Sequence, residues 1–200
     1  MDPLIEFPRQ VSALFVREDS IYKQILGVDA WDANRDARLF KGPGPIIAHP
    51  PCRQWASLRH KAKPNPGEKR LALIAVDFVR RFGGVLEHPN QTTLWNVAGL
   101  PEPGNFDNCH GWTLIVDQSW FGHRAKKSTR LYIVGCAPSE IPVFEMRLGE
   151  ASHTVGLWSN SATRNKHRRA RPSISKDEFD RTPPLFAYWL VNLARNCLAR

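Results

Sequence analysis

Pro45–Ile46–Ile47–Ala48–His49–Pro50–Pro51–Cys52 is a short apolar run that stops at two prolines and a cysteine. Proline has no backbone N–H and holds φ at about −65°, so Pro50 and Pro51 end strand pairing and hold the next side chain at the rim of a sheet. In open α/β sheets ligands bind outside the carboxyl ends of the strands, which is where this reading puts the Cys52 thiol. A buried structural cysteine is the other reading, because free thiols are among the most buried residues.

The neighbouring segments supply a sheet for this strand to join. Val11–Val16 is an apolar run of strand length, and Asp19 or Ser20 can cap a short helix through Ile21, Tyr22, Ile25 and Leu26 that Gly27 ends. Val28–Asp32 reads as a second strand. Asp32 keeps two readings, a ribose contact at the rim or a cap for the turn into residues 33–40. After Cys52 comes the cation-dense stretch from Arg53 through Gln54, Trp55 and Arg59 to Lys63, read as a mobile loop facing phosphate. Between Glu68 and Phe82, Leu71, Ile74, Ala75, Phe78, Val79 and Phe82 recur at three- and four-residue intervals and predict an amphipathic helix. Gly83 and Gly84 end it, and Val85–Leu86–Glu87–His88–Pro89 repeats the plan of a strand closed by polar residues and a proline.

Trp112–Gln118 and Arg130–Gly135 read as a hairpin whose tip carries Trp120, His123, Arg124, Lys126 and Lys127. From residue 137 to 173 periodicity fades, and Arg164–Arg171 is a basic run. Pro183 and Pro184 open a last helix with Leu185, Trp189, Leu190, Leu193 and Leu198 expected toward the core. Strands alternating with helices predict one α/β domain of the Rossmann-like kind, residues 1–136 plus 174–200, with 137–173 as a small basic recognition appendage.

The chain has 200 residues, 42% of them hydrophobic, enough for one core, and a net charge of +9 points to a polyanionic partner, nucleic acid first. Cys52, Cys109, Cys136 and Cys197 are widely spaced without a CxxC pair, so neither a zinc finger nor a disulfide framework is expected. His49, His60, His88, Cys109, His110 and His123 lack ligand spacing on one element, and no metal is expected. No Gly-x-Ser-x-Gly turn supports a serine hydrolase. The chain shows neither a signal-like start nor about 18 consecutive apolar residues, so a soluble cytoplasmic protein without membrane contact or an obligate protein partner is expected. Trp55 and Trp120, in cationic loops, are candidates for stacking on a base.

Three of these stretches, in order, resemble motifs of the DNA cytosine-5 methyltransferases. Ala48–His49–Pro50–Pro51–Cys52–Arg53–Gln54 looks like that family's Pro-Cys nucleophile motif, and Leu86–Glu87–His88–Pro89 stands where the family has Glu-Asn-Val. Trp120–His123 through Thr129–Gly135 is similar to its Tyr-Gly…Gln-x-Arg-x-Arg strand, and the chain also looks like small phage or prophage proteins of this type. The resemblance implies a methyltransferase-type three-layer sandwich, with a mostly parallel sheet and a C-terminal antiparallel hairpin. It makes Cys52 the nucleophile on C6 of a flipped pyrimidine, Glu87 the group holding and protonating its N3 edge, and Arg130 a contact that steadies the adduct. Arg53 and its neighbours are expected to lower the thiol's pKa. DNA or substrate contacts fall to Arg53, Gln54, Trp55, Arg59, His88, Gln118, His123, Arg124, Lys126 and Lys127. Phe15, Asp32 and Pro51 would lie beside S-adenosylmethionine, although Phe15–Ser20 lacks the glycines of the family's cofactor turn. Three functions follow: a transferase working at C5 or the 5-substituent, as in phage DNA hypermodification; a conventional S-adenosylmethionine-dependent cytosine-5 methyltransferase; and a silent DNA-binding relative.

Overall fold

The apolar runs that end in glycine or proline become strands, and the segments of helical period cover them on both sides. The computed structural model describes residues 9–57, 59–155 and 171–198. Its strands are β1 (Val11–Leu14), β2 (Val28–Trp31), β3 (Ile46–Ala48), β4 (Gly84–Pro89), β5 (Trp112–Asp117) and β6 (Ser128–Val134). They form one sheet in the order β2-β1-β3-β4-β6-β5. The first four are parallel, with Ala13 opposite both Ala30 and Ile47 and Ile47 opposite Val85. β6 runs antiparallel between β4 and β5, placing Glu87 opposite Leu131 and His88 opposite Arg130. The architecture is therefore α/β, with a mostly parallel sheet that ends in an antiparallel hairpin.

Helix α1 (Glu68–Phe82) covers one face, where Leu14, Ile46, Ala48, Leu86, Tyr132 and Val134 meet Ala72, Ala75, Val76, Val79 and Phe82. The buried stripe is turned by about one position from the expected one. Small Ala72, Ala75 and Val76 allow close approach to the sheet, while Leu71, Ile74 and Phe78 lie half-buried at the flanks. The short helix α2 (Leu94–Ala98) adds Leu94 and Trp95 to this core. Gly84 is needed where α1 hands over to β4: its φ is +123°, and a Cβ there would stand 2.0 Å from the Ile46 carbonyl oxygen.

On the other face lies α4 (Pro184–Asn196), whose Phe186, Trp189, Leu190 and Leu193 pack on Val11, Ala13, Ile47, Val85, Leu131 and Ile133. Leu185 and Leu198, expected inside, are exposed, because the helix turns Phe186, Ala187 and Leu190 inward instead. The expected helix after Ser20 is a single 3-10 turn, Ile21–Gln24, capped by the Ser20 hydroxyl. The hairpin tip is no protruding cationic finger. Gln118 N bonds Lys127 O at 3.1 Å, and Phe121 is buried against Phe144, Phe186 and Trp189 at ring distances of 4.2, 4.8 and 5.1 Å. Trp120 is half-buried beside the same core. Within the proposed appendage, residues 137–155 run across this layer, with Trp189 Nε1 donating to Pro142 O at 2.8 Å. Residues 164–170 of the basic run lie outside the described residues.

Candidate active site

β1 pairs with β2 on one side and β3 on the other, so the chain reverses its direction of sheet growth beside their carboxyl ends, the position where open α/β sheets form a crevice. His49 N donates to Leu14 O at 3.0 Å, so the backbone still pairs across the start of this crevice before Pro50 and Pro51 end it. Cys52 follows, half-buried, its carbonyl accepting from Trp55 N and Ala56 N at 2.9 Å each. Trp55 is a buried wedge whose indole donates to Lys69 O at 3.1 Å, fixing the loop against α1. A base-stacking role for Trp55 is thereby overturned, since its ring faces protein on all sides.

Strand alternation brings Glu87 toward the same rim, on the face it shares with Val85. Both of its oxygens are held. His49 Nδ1 lies 3.3 Å from Oε2, and Gln118 Nε2 donates to Oε1 at 3.0 Å while also reaching Thr129 Oγ1 at 3.0 Å. Behind His49, Nε2 meets the hydroxyl of fully buried Tyr22 at 2.9 Å. Burial opposes ionisation of Glu87, yet the hydrogen bond and charge of His49, with the Lys127 charge, hold its pKa down to about 2.

Cys52 moves the other way. Burial, then the charge of Glu87, push its pKa up to about 11, and Lys127 opposes them only in part. The expectation that Arg53 and its neighbours activate the thiol is corrected. Arg53 Nε lies 2.8 Å from Glu68 Oε1, paired with the first turn of α1. The free protein therefore holds a protonated thiol within reach of the charge of an ionised carboxylate.

The short helix α3 (Lys176–Asp180) closes over this rim from the C-terminal part of the chain. Lys127 Nζ donates to Phe179 O at 2.8 Å, and Asp180 adds to the negative charge felt by Cys52. Arg124, expected on DNA, is held by Glu178, with Nε to Oε1 at 2.8 Å, and Arg17 reaches Asp177 at 2.8 Å.

Other expected site residues are dispersed. His88 points to the α1 side, wholly buried, 6.4 Å from the Trp95 ring, and neither ring nitrogen has a hydrogen-bond partner. Burial pushes its pKa down to about 4, and a DNA contact is ruled out by that enclosure. Arg130 shares the face of His88, not that of Glu87. It donates to Asn90 Oδ1 at 2.8 Å and Glu102 Oε1 at 3.0 Å and lies over Trp95, so it does not steady anything held between Cys52 and Glu87. His123 is buried against Ala125 O at 2.6 Å, which removes it from the surface. Gln118 is buried as well, but on Glu87, where the expected substrate contact becomes support of the carboxylate. Gln54 is half-buried, and Arg59 and Lys126 are exposed.

Two of the three residues expected beside S-adenosylmethionine are engaged within the protein. Phe15 takes φ +60°, a left-handed conformation uncommon for a residue with a side chain, and packs partly on the α1 core. Asp32 accepts from Lys23 Nζ at 2.6 Å and Asn34 N at 3.0 Å, the capping role of its two readings, and Pro51 is half-buried beside Cys52. An open depression of about 600 Å³ lies against Arg17, Glu18 and Asp19, and one of about 300 Å³ is lined by Phe121, Phe144 and Leu185 among others; Cys52 and Glu87 line neither.

Among the described residues no group of three His, Cys, Asp or Glu is placed to hold a metal ion, and no helix is long and apolar enough to cross a membrane. His49, Tyr22 and Asp180 are the site residues that sequence reasoning missed. The His in His49–Pro50–Pro51–Cys52 was the one available signal, since it ends the same strand. Comparison with known proteins returns no matching family model, no matching curated protein and no matching solved structure.

Proposed function

We propose that the protein is a DNA-modifying transferase that works at C5, or at the 5-substituent, of a flipped pyrimidine through a covalent Cys52–C6 adduct. One observation carries the reading: a thiol and an ionised carboxylate share the rim of adjacent parallel strands, with the carboxylate fixed by His49 and Gln118. In the free protein the proton stays on sulfur, with Glu87 as the acceptor next to it, and a bound pyrimidine that lowers the pKa of the thiol and displaces the partners of the acid lets the proton move. Glu87 takes the proton of Cys52 as sulfur bonds to C6, the C5=C6 electron pair moves into the ring, and Glu87 returns the proton to the N3 edge.

On a base bearing a leaving group on its 5-methylene, the electron-rich C5 then expels that group. A nucleophile of the amine class adds to the exocyclic carbon, losing its proton, and release of Cys52 restores the C5=C6 bond. The sum exchanges the leaving group for the amine and returns the thiol. No step is routed through S-adenosylmethionine, because the turn after β1 has no glycine and Asp32 is already engaged. The sheet, mostly parallel and closed by an antiparallel hairpin, fits the Rossmann-like methyltransferase-type arrangement that the motif resemblance implies.

DNA carrying a 5-fluoropyrimidine tests the reading. The wild-type protein should form an adduct that survives denaturing electrophoresis, and Cys52→Ser should form none. Wild type without an adduct, or Cys52→Ser with one, refutes the covalent chemistry. Nucleoside mass spectrometry of DNA from cells with and without the protein, with phage-modified DNA as a second substrate, identifies the group transferred. Calorimetric binding of S-adenosylmethionine would favour methylation instead.

A further inference from the structure

We propose that His49, steadied by Tyr22, is the positioning residue that keeps Glu87 an aligned carboxylate until a base arrives, and so makes Glu87 the acceptor of the Cys52 proton. The proposal rests on the covalent reading above and adds two residues to it. Tyr22 is fully buried, and burial followed by the charge of Glu87 drives its pKa well above that of a free phenol. Its O–H proton is therefore kept, and because the Glu87 carboxylate can only accept, a neutral His49 carries its proton on Nδ1 and accepts at Nε2. Tyr22 O–H then donates to His49 Nε2 at 2.9 Å, and the Nδ1 proton points to Glu87 Oε2 at 3.3 Å. The order of partners thus assigns the tautomer, and a protonated His49 keeps the same bond to Glu87.

Each member comes from a different element. Tyr22 sits in the turn between β1 and β2, His49 at the end of β3, Glu87 on β4 and Gln118 on the hairpin tip. The other charged or titratable groups acting on this cluster are Lys127 and, more weakly, His88, which favour the Glu87 carboxylate, Cys52 itself, and Asp180 through Cys52. Gln118 donates to Oε1 without changing charge, so His49 is the partner of Glu87 that joins a hydrogen bond to a titratable charge. Without it, burial remains as the force opposing ionisation.

Carbon-detected NMR of protein labelled at the glutamate side-chain carboxyl carbons reads Glu87 directly, with Glu87→Gln identifying its signal. In the wild type the signal should stay in the carboxylate position through pH 4. In His49→Gln its midpoint should rise by at least about one pH unit, a tenfold change in proton affinity. His49→Asn, which can restore an N–H near the Nδ1 position, and Tyr22→Phe should fall between the two, and they stand in if His49→Gln does not fold.

The acid limb of adduct formation on 5-fluoropyrimidine DNA should move up by the same interval, whereas a purely structural role would lower adduct formation at every pH and leave the limb in place. A Glu87 midpoint that is the same in wild type and variants overturns the role of His49 alone. Wild type that forms no adduct at any pH overturns the Cys52 chemistry, and with it the purpose assigned to His49.

Discussion

At pH 7 a thiol with a pKa of about 11 is about one part in 10⁴ thiolate, against about 3% for an ordinary thiol near 8.5, a deficit of about 300-fold in the reactive form. Iodoacetamide alkylation followed by peptide mass spectrometry reads this at each site, and exposed Cys109 gives an internal reference in the same chain. Cys52 should react at least two powers of ten more slowly than Cys109 at pH 7. Its rate should still be rising tenfold per pH unit between pH 8 and 10. Glu87→Gln removes the larger of the two carboxylate charges that raise the pKa, so Cys52 should alkylate faster in that variant at fixed pH, although burial and Asp180 keep it below the reference. In urea the two sites should converge, which separates environment from intrinsic reactivity. Cys52 reacting as fast as Cys109 at pH 7 in the folded protein, or a rate already level by pH 9, would refute the thiol-and-carboxylate pairing and the one-proton mechanism built on it.

Three further outcomes are expected. His88 binds its proton less readily folded than unfolded, so stability is fully present above about pH 6.5 and is lost as pH falls toward 4, by up to about 3 kcal/mol; urea midpoints across that window should show the loss, and His88→Leu should flatten it. Gly84→Ala must drive a methyl into the Ile46 carbonyl at a backbone angle few side chains adopt, and should cost several kcal/mol or abolish soluble expression, which thermal melting or yield would show. Exposed Arg59 and Lys126 are free to meet phosphate, so binding of duplex DNA should weaken with salt, and Arg59→Ala with Lys126→Ala should lower the log–log slope by about 1 to 2; a slope near zero in the wild type would remove DNA as the partner.

Local chemistry made much of the fold legible. The helical period of residues 68–82, the glycines that end it, and the prolines after β3 and at the last position of β4 act through neighbours in the chain, and the helix spans the residues its periodicity predicts. The thiol at a strand end was legible for the same reason. Strand parity was the limit. Glu87 and His88 are adjacent in sequence, yet they face opposite sides of β4, one into the rim and the other under Trp95. Arg130 follows His88 to the wrong face because it lies opposite His88 across the β4–β6 pair.

By itself the sequence determined an α/β chain with a cysteine and a glutamate at the ends of two successive strands, because hydrophobic period and proline geometry are properties of a few consecutive residues. The tertiary structure alone decided which charges those groups feel. Tyr22 against His49, Gln118 against Glu87, and Asp180 near Cys52 join segments far apart in the chain, and burial depends on every layer being in place. A pKa is set by that enclosure and those distant charges, so the protonation of the thiol and the carboxylate was fixed only when α3, α4 and the hairpin tip came together around them.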